Sequence, residues 1–328
     1  MIITKTPVRL PLGGGGTDLP FFYPLFGGEM VTASIDKYIY VAVSERKFYD
    51  TFRISYSKTE IVHSIREIEN SRVREALNLL EIKEPLEINI ISEVPGKSGL
   101  GGSSVFLVGL LKALHIYKRE EVSSKRLAEE AAKIEIEILK EPIGKQDQYA
   151  AAFGSINSLK IDKKGNVAVA PIDISLNTIN MLERNLHIFF TGILRSASEV
   201  LRDQGKEAKS DESKLNSMKQ IKEIGIEIKN ALEIGDTKQF GRLMNLHWET
   251  KKKTSGKISD PKIDDWYDLA LKKGALGGKI MGAGGGGFFL FYCDRDPENF
   301  IFEMEKSGLK YVPFKFDLDG SKVLLNIR

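Results

Sequence analysis

The stretch EVPGKSGLGGSSVFLVGLLKAL, residues 93–114, sets a turn rich in glycine and serine directly before an apolar run. The preceding PLEINIISEV reads as a strand, and the run from Ser103 to Ile116 as a helix that is apolar nearly all round and so belongs in the core. A strand, a glycine loop and a helix start together make an anion site. The first-turn N–H groups lack partners there, and the helix dipole adds positive potential. Glycine also tolerates positive φ and lets backbone amides approach a ligand closely. Ser103 and Ser104 can cap the helix or offer a hydroxyl to Mg²⁺. Two more clusters, LGGGGTD at 12–18 and GAGGGGF at 282–288, draw on the same pool of 30 glycines. A tight turn plus an N-cap is the plain alternative for any one cluster; three in one chain favour a phosphate ligand. A Walker loop places its lysine after the glycines, whereas Lys97 precedes Gly99 and Gly101. A dinucleotide fingerprint needs glycine where Ser104 stands.

Around these loops the chain reads as mixed strands and helices. A strand runs from Met1 to about Leu10 and is broken by Pro11, and EMVTASIDKYIYVAVSER is one long strand or two paired ones. An amphipathic helix over 124–140 carries Leu127, Ala131, Ile134 and Ile138 on one stripe. After about Asp173 come a strand (NLHIFFTGI) and three charged helices over 197–206, 212–234 and 237–253. A helix over 261–273, strand–glycine turn–strand in GGKIMGAGGGGFFLFY, a helix near 297–307 and two short strands complete the chain. The expected division is 1–173 and 174–328, and irregular βα alternation favours α+β over a doubly wound sheet. The 328 residues are 42% hydrophobic and 28% charged, enough for a packed core. A net charge of +3, from 48 Lys+Arg and 45 Asp+Glu, gives no ground for a nucleic-acid or membrane surface. One cysteine, Cys293, rules out a disulfide framework; with no apolar run of spanning length and no signal-peptide core, a cytoplasmic location is expected, and a homo-oligomer stays open. The four histidines show no metal-ligand spacing, and Trp248 and Trp266 fit helix faces.

In this order the three clusters resemble the GHMP kinase superfamily, which includes galactokinase, homoserine kinase, mevalonate kinase and phosphomevalonate kinase. Pro95, Gly96, Ser98, Gly99, Leu100, Gly101, Gly102, Ser103 and Ser104 are similar to that family's Pro-x-x-x-Gly-Leu-Gly-Ser-Ser-Ala phosphate loop, with Gly102 in place of the first serine and Ser104 in place of the alanine. PVRLPLGGGGTDLP keeps the sugar-kinase spacing from Arg9 to Asp18, and GGKIMGAGGGGF resembles the C-terminal glycine motif. Together with PIGKQDQYAAAFG and FFTGILRSASEVL, these segments resemble the D-glycero-D-manno-heptose 7-phosphate kinase branch. The resemblance implies a two-domain fold, an N-terminal ribosomal-S5-like α/β domain and a C-terminal ferredoxin-like α+β domain. It also implies ATP and Mg²⁺ as cofactors and a sugar phosphate phosphorylated at its anomeric hydroxyl. A fucose- or galactose-type 1-kinase, or a sugar- and ATP-sensing regulator on the same fold, are the alternatives. Galactokinases have Gly-Glu-His where this chain has Gly14, Gly15 and Gly16, which argues against galactose and leaves room for a bulkier sugar.

That resemblance makes Asp147 the catalytic aspartate, accepting the hydroxyl proton; an N-cap role for a helix from Gln148 to Phe153 is the alternative. Ser103 and a carboxylate from the preceding helix are the expected metal ligands. With the apolar stripe centred near Ile138, Glu135 lies about 60° and Glu137 about 100° away, so Glu135 borders the buried face better. Asp18, with Gly14, Gly15, Gly16 and Thr17, is expected to bind sugar hydroxyls, since one carboxylate accepts two hydrogen bonds from a vicinal diol. Arg9 either lowers the pKa of Asp147 and touches the transferred group, or makes a strand-end salt bridge. Gly284 and Gly285 complete the expected substrate contacts. Arg195 is the expected cation for a distal phosphate, ahead of Lys251, Lys252 and Lys253, because a lysine run commonly forms a solvated helix end.

Overall fold

The computed structural model describes residues 1–327. β1 (Ile2–Gly13) pairs antiparallel with β2 (Gly28–Glu45), and the short helix α1 (Tyr23–Phe26) lies in the connection between them. The alternating stretch is therefore one strand of 18 residues. β1 also runs through Pro11 rather than ending before it, with register shifts at Pro7/Val8 and Pro11/Gly13. The reason lies on its other edge: β12 (Lys322–Asn326) pairs only with Ile2 to Lys5, so beyond Lys5 no ladder bond on that side needs a donor that proline lacks.

β3 (Phe52–Ser55), β4 (Thr59–Val62), α2 (Ser71–Leu79) and β5 (Leu86–Ser92) follow, then α3 (Gly102–Tyr117), α4 (Ser124–Ala132), α5 (Gln146–Phe153), β6 (Ile156–Ile161) and β7 (Val167–Pro171). The length of β2 lets its C-terminal half pair with β5 and its N-terminal half with β6. All pairs in this eight-stranded sheet are antiparallel except β3 with β5. α3 lies against β1 and β2, burying Val105, Leu107, Val108, Leu110, Leu111 and Leu114. Gly109 permits this approach: Thr4 Oγ1 donates to its carbonyl at 2.9 Å, and a Cβ there would come within 2.7 Å of Thr6 Oγ1.

The second half contains α6 (Leu176–Asn185), β8 (Leu186–Phe190), α7 (Ala197–Ser210), α8 (Glu212–Glu233), α9 (Thr237–Lys252), α10 (Pro261–Lys272), β9 (Gly277–Ile280), β10 (Phe288–Tyr292), α11 (Pro297–Lys306), β11 (Lys310–Val312) and β12 (Lys322–Asn326). Asp236 and Asp260 cap α9 and α10 through their carboxylates, and Pro261 occupies the first turn of α10. The strands β11-β8-β10-β9 form an antiparallel sheet. β10 alternates: Phe288, Leu290 and Tyr292 join the large core shared with the first sheet, while Phe289 and Phe291 face an aromatic core containing Trp248, Trp266 and Phe300. A cut at residue 173 separates the two sheets with one exception, because β12 returns to pair with β1.

Gly109→Val should destabilise the protein by about 1–3 kcal/mol, the usual cost of overpacking a closed contact. The measurement is the denaturant midpoint; an unchanged midpoint would show that α3 can lift from β1 without strain.

Candidate active site

The three glycine clusters meet around one cavity of about 560 Å³. β5 delivers the chain into the loop 93–101, and Gly101, in the left-handed region at φ 76°, turns it into α3. No side chain caps this helix, so its first amides are not satisfied by a capping group. A Cβ on Gly101 would lie 2.8 Å from Asp147 Oδ2, so glycine there serves both the turn and the acid. Pro95, Gly96, Ser98, Gly99, Gly101, Gly102, Ser103 and Ser104 line the cavity. Leu100 instead turns its side chain into the core. Gly99 packs against the Met281 carbonyl, which brings the third cluster onto the second.

Asp147 sits in the first turn of α5, whose N-cap is Lys145, so the expected N-cap alternative does not hold. Its Oδ1 accepts from Arg9 Nε at 2.7 Å, and Arg9 Nη1 donates to the Gly99 carbonyl at 2.6 Å. Arg9 is buried while the Asp147 side chain stays 25% exposed, so the acid opens onto the cavity and the cation stands behind it. Asp18 Oδ2 accepts from the Gln146 amide at 3.0 Å and Oδ1 from the Gly16 amide at 3.2 Å. Burial pushes its carboxyl pKa up, with the Asp147 charge adding to the rise. In the first cluster Gly15, Gly16 and Asp18 line the cavity. Thr17 is fully buried and donates to the carbonyls of Gly14 and Glu29, so Gly14 and Thr17 build the turn instead of lining the space.

The helix expected over 124–140 is α-helical only to Ala132 and continues as a π turn over Lys133–Ile138. The wider turn shifts the facing, so Ile138, the expected stripe centre, is exposed, while Glu135 is completely buried at the cavity wall and Glu137 lies exposed outside it. Glu135 Oε1 accepts from Arg72 Nε at 2.8 Å; Oε2 accepts from Ser104 Oγ and Gln148 Nε2, each at 2.6 Å. Ser104 is thus the hydroxyl on Glu135, and Ser103 is exposed beside it in the lining. Among the described residues no group of three or more His, Cys, Asp or Glu is placed to hold a metal. Oxygen donors in this number suit a cation that brings most of its ligands with a nucleotide.

Four basic groups on the second-half elements reach the same cavity. Arg195 is half-exposed at the rim, pairs with Asp260 at 3.1 Å and has Gly285 against its Cδ; Gly284 lines the space and Gly285 does not. The lysine run divides: Lys252 pairs with Glu249 and Asp264, Lys253 is exposed, and Lys251 is buried with Nζ donating to the Gly282 carbonyl at 2.5 Å. Lys279 and His247 are almost fully buried, and Lys279 Nζ donates to the Leu12 carbonyl at 2.9 Å. Sequence reasoning passed over Lys279, His247, Arg72 and Gly144. Lys279 left one signal, a lone lysine in the apolar approach to the third glycine cluster, and His247 lies one helical turn before Lys251. Arg72 and Gly144 left none, because only their spatial neighbours distinguish them.

Residues 61–155 match the family GHMP kinases N terminal domain, and residues 228–308 match GHMP kinases C terminal. A Campylobacter jejuni protein, D-glycero-alpha-D-manno-heptose 7-phosphate kinase, is 32% identical over 339 residues, spanning 98% of each chain. The chain belongs to the GHMP kinases. Like other members it is an ATP-dependent kinase, of the sugar-kinase branch, with the two-domain fold of the family. A crystal structure from Bacteroides thetaiotaomicron, described as a D-glycero-D-manno-heptose 1-phosphate kinase, superposes with a TM-score of 0.83 over all of both chains at 25% identity. A Pyrococcus furiosus galactokinase is 25% identical over 90% of each chain. No helix among the described residues of the kinase is long and apolar enough to cross a membrane.

Gly144 offers a test of the acceptor role expected for Asp18. A Cβ there would overlap the Asp18 carboxylate. Gly144→Ala is therefore expected to raise the acceptor KM on the order of tenfold or more, the loss of one charge-assisted hydrogen bond, with the ATP KM unchanged. Steady-state kinetics against both substrates checks it; equal effects on both would place Asp18 outside the acceptor site.

Proposed function

We propose that this kinase transfers the γ-phosphoryl group of ATP to the anomeric hydroxyl of D-glycero-D-manno-heptose 7-phosphate. The observation that carries the chemistry is the Arg9–Asp147 pair opening onto the same cavity as the glycine loop of α3. The heptose phosphate named for the Campylobacter jejuni relative supports the acceptor, and an acceptor phosphorylated at C7 leaves its C1 hydroxyl free.

Loop 95–104 and the first turn of α3 hold the nucleotide phosphates through backbone amides and the helix dipole. Asp18 orients the sugar by accepting from two of its hydroxyls, with the backbone of Gly15 and Gly16 beside it. The C1 oxygen bonds to the γ-phosphorus as the bond to the ADP leaving oxygen breaks, and the hydroxyl proton passes to Asp147. A carboxylate is a weak base towards an alcohol, so Asp147 orients the hydroxyl first and takes its proton late. Arg9 holds that acid in place and puts positive charge beside the transferred group. Ser103 and Glu135 would hold Mg²⁺ together with the nucleotide, after Arg72 yields one carboxylate oxygen, and the ion would neutralise phosphate charge.

Asp147→Asn should lower kcat by about 10²–10⁴-fold with ATP binding retained. Near-normal turnover would remove Asp147 from proton transfer. A panel of acceptors with ATP tests the sugar, and equal kcat/KM for unphosphorylated hexoses and for the heptose 7-phosphate would overturn it in favour of a fucose- or galactose-type 1-kinase.

A further inference from the structure

The second-half face of the cavity carries charge that the transfer chemistry does not use. Lys251 and Lys279 are buried, and the hydrogen bonds they make go to backbone carbonyls, those of Gly282 and Leu12. Neither has a carboxylate within ion-pair distance among the described residues; Arg9 next to them is already matched by Asp147. His247 is 1% exposed, and neither ring nitrogen has a partner. Gln146 Nε2, from the opposite wall, is also buried and unpartnered. All four residues line the cavity. Burying two ammonium groups and three unsatisfied nitrogens is costly unless an anion completes the set.

We propose that Lys251, Lys279, His247 and Gln146 form a subsite for the distal phosphomonoester of the acceptor. This rests on the sugar phosphate reading above and assigns the groups that would select for it. α9 sets His247 and Lys251 four residues apart on one face, and β9 presents Lys279 beside them. Lys251 lies close enough to Asp18, the carboxylate assigned above to the sugar, to feel its charge, which puts the set on the acceptor side of the cavity. Burial first, and then Arg9, pull its pKa down to about 8, and Lys279 is lowered by burial and by Lys251. A phosphate dianion would reverse both effects. Arg195, by contrast, is already neutralised by Asp260 at the rim.

The test compares wild type, Lys251→Met, Lys251→Arg and Arg195→Ala, each saturated with a non-hydrolysable ATP analogue so that the glycine loop is filled. Calorimetry then measures binding of heptose 7-phosphate and of the same heptose without phosphate. Wild type should prefer the phosphorylated sugar. Lys251→Met should weaken its binding by tenfold or more without changing that of the free heptose, and Lys251→Arg should recover part of the loss. The melting temperature of ligand-free Lys251→Met should hold or rise, because an unpaired buried charge is removed; a purely structural lysine would lower it. Unchanged affinity for the phosphorylated sugar in Lys251→Met, a loss confined to Arg195→Ala, or no wild-type preference for the phosphate would overturn the subsite. If wild type binds the heptose 7-phosphate through Lys251 yet does not phosphorylate it, the subsite stands and the proposed reaction fails.

Discussion

The contact between Arg9 and Asp147 is the joint on which the site depends. Arg9 comes from β1, Asp147 from the first turn of α5, and the carbonyl that takes the second guanidinium bond belongs to Gly99 of the loop before α3. One side chain thus fixes strand, loop and helix in mutual register. The pair tolerates partial burial because each charge has its partner and Arg9 spends a further donor on a carbonyl. Removing either partner would leave the other charge uncompensated at the cavity wall, which costs more than the pair contributes net.

Backbone packing around that joint explains the distribution of glycine. The second and third clusters touch through Gly99 and Gly282, and Gly101 leaves only enough space for the Asp147 carboxylate. These contacts bring a loop of the first sheet against a loop of the second, so the cavity lies where the two halves meet. β12 reinforces the join by returning the chain end to β1. Ser321, just before that strand, bonds Thr6 at 2.9 Å.

The cavity walls differ in character. The wall from the first sheet pairs most of its charge: Arg9 faces Asp147 and Arg72 faces Glu135, while the Asp18 carboxylate is held by backbone amides. On the second-sheet wall, buried lysines bond to carbonyls and a buried imidazole has no partner. A ligand-free protein gains nothing from that arrangement, since each unmatched group raises the free energy of the folded state. Such an imbalance makes sense as preorganisation for an anion that the protein meets only in its complex.

The local patterns were readable without the fold. Glycine spacing located the loop that lines the cavity, β-branched alternation marked β2, and apolar helical spacing marked α3, because each depends on neighbours a few residues apart. Even Glu135 could be preferred over Glu137, although the π turn and the exposed Ile138 show that the wheel behind that choice was not the real geometry. Only the tertiary structure decided which hydroxyl meets Glu135, that β1 passes through Pro11, that Lys251 is buried while Lys252 and Lys253 are not, and that Gly144 leaves room for the Asp18 carboxylate. Those outcomes depend on what arrives from distant parts of the chain. Short-range spacing records the conformation a segment prefers, whereas burial and partner choice are set by long-range packing, which a one-dimensional pattern does not contain.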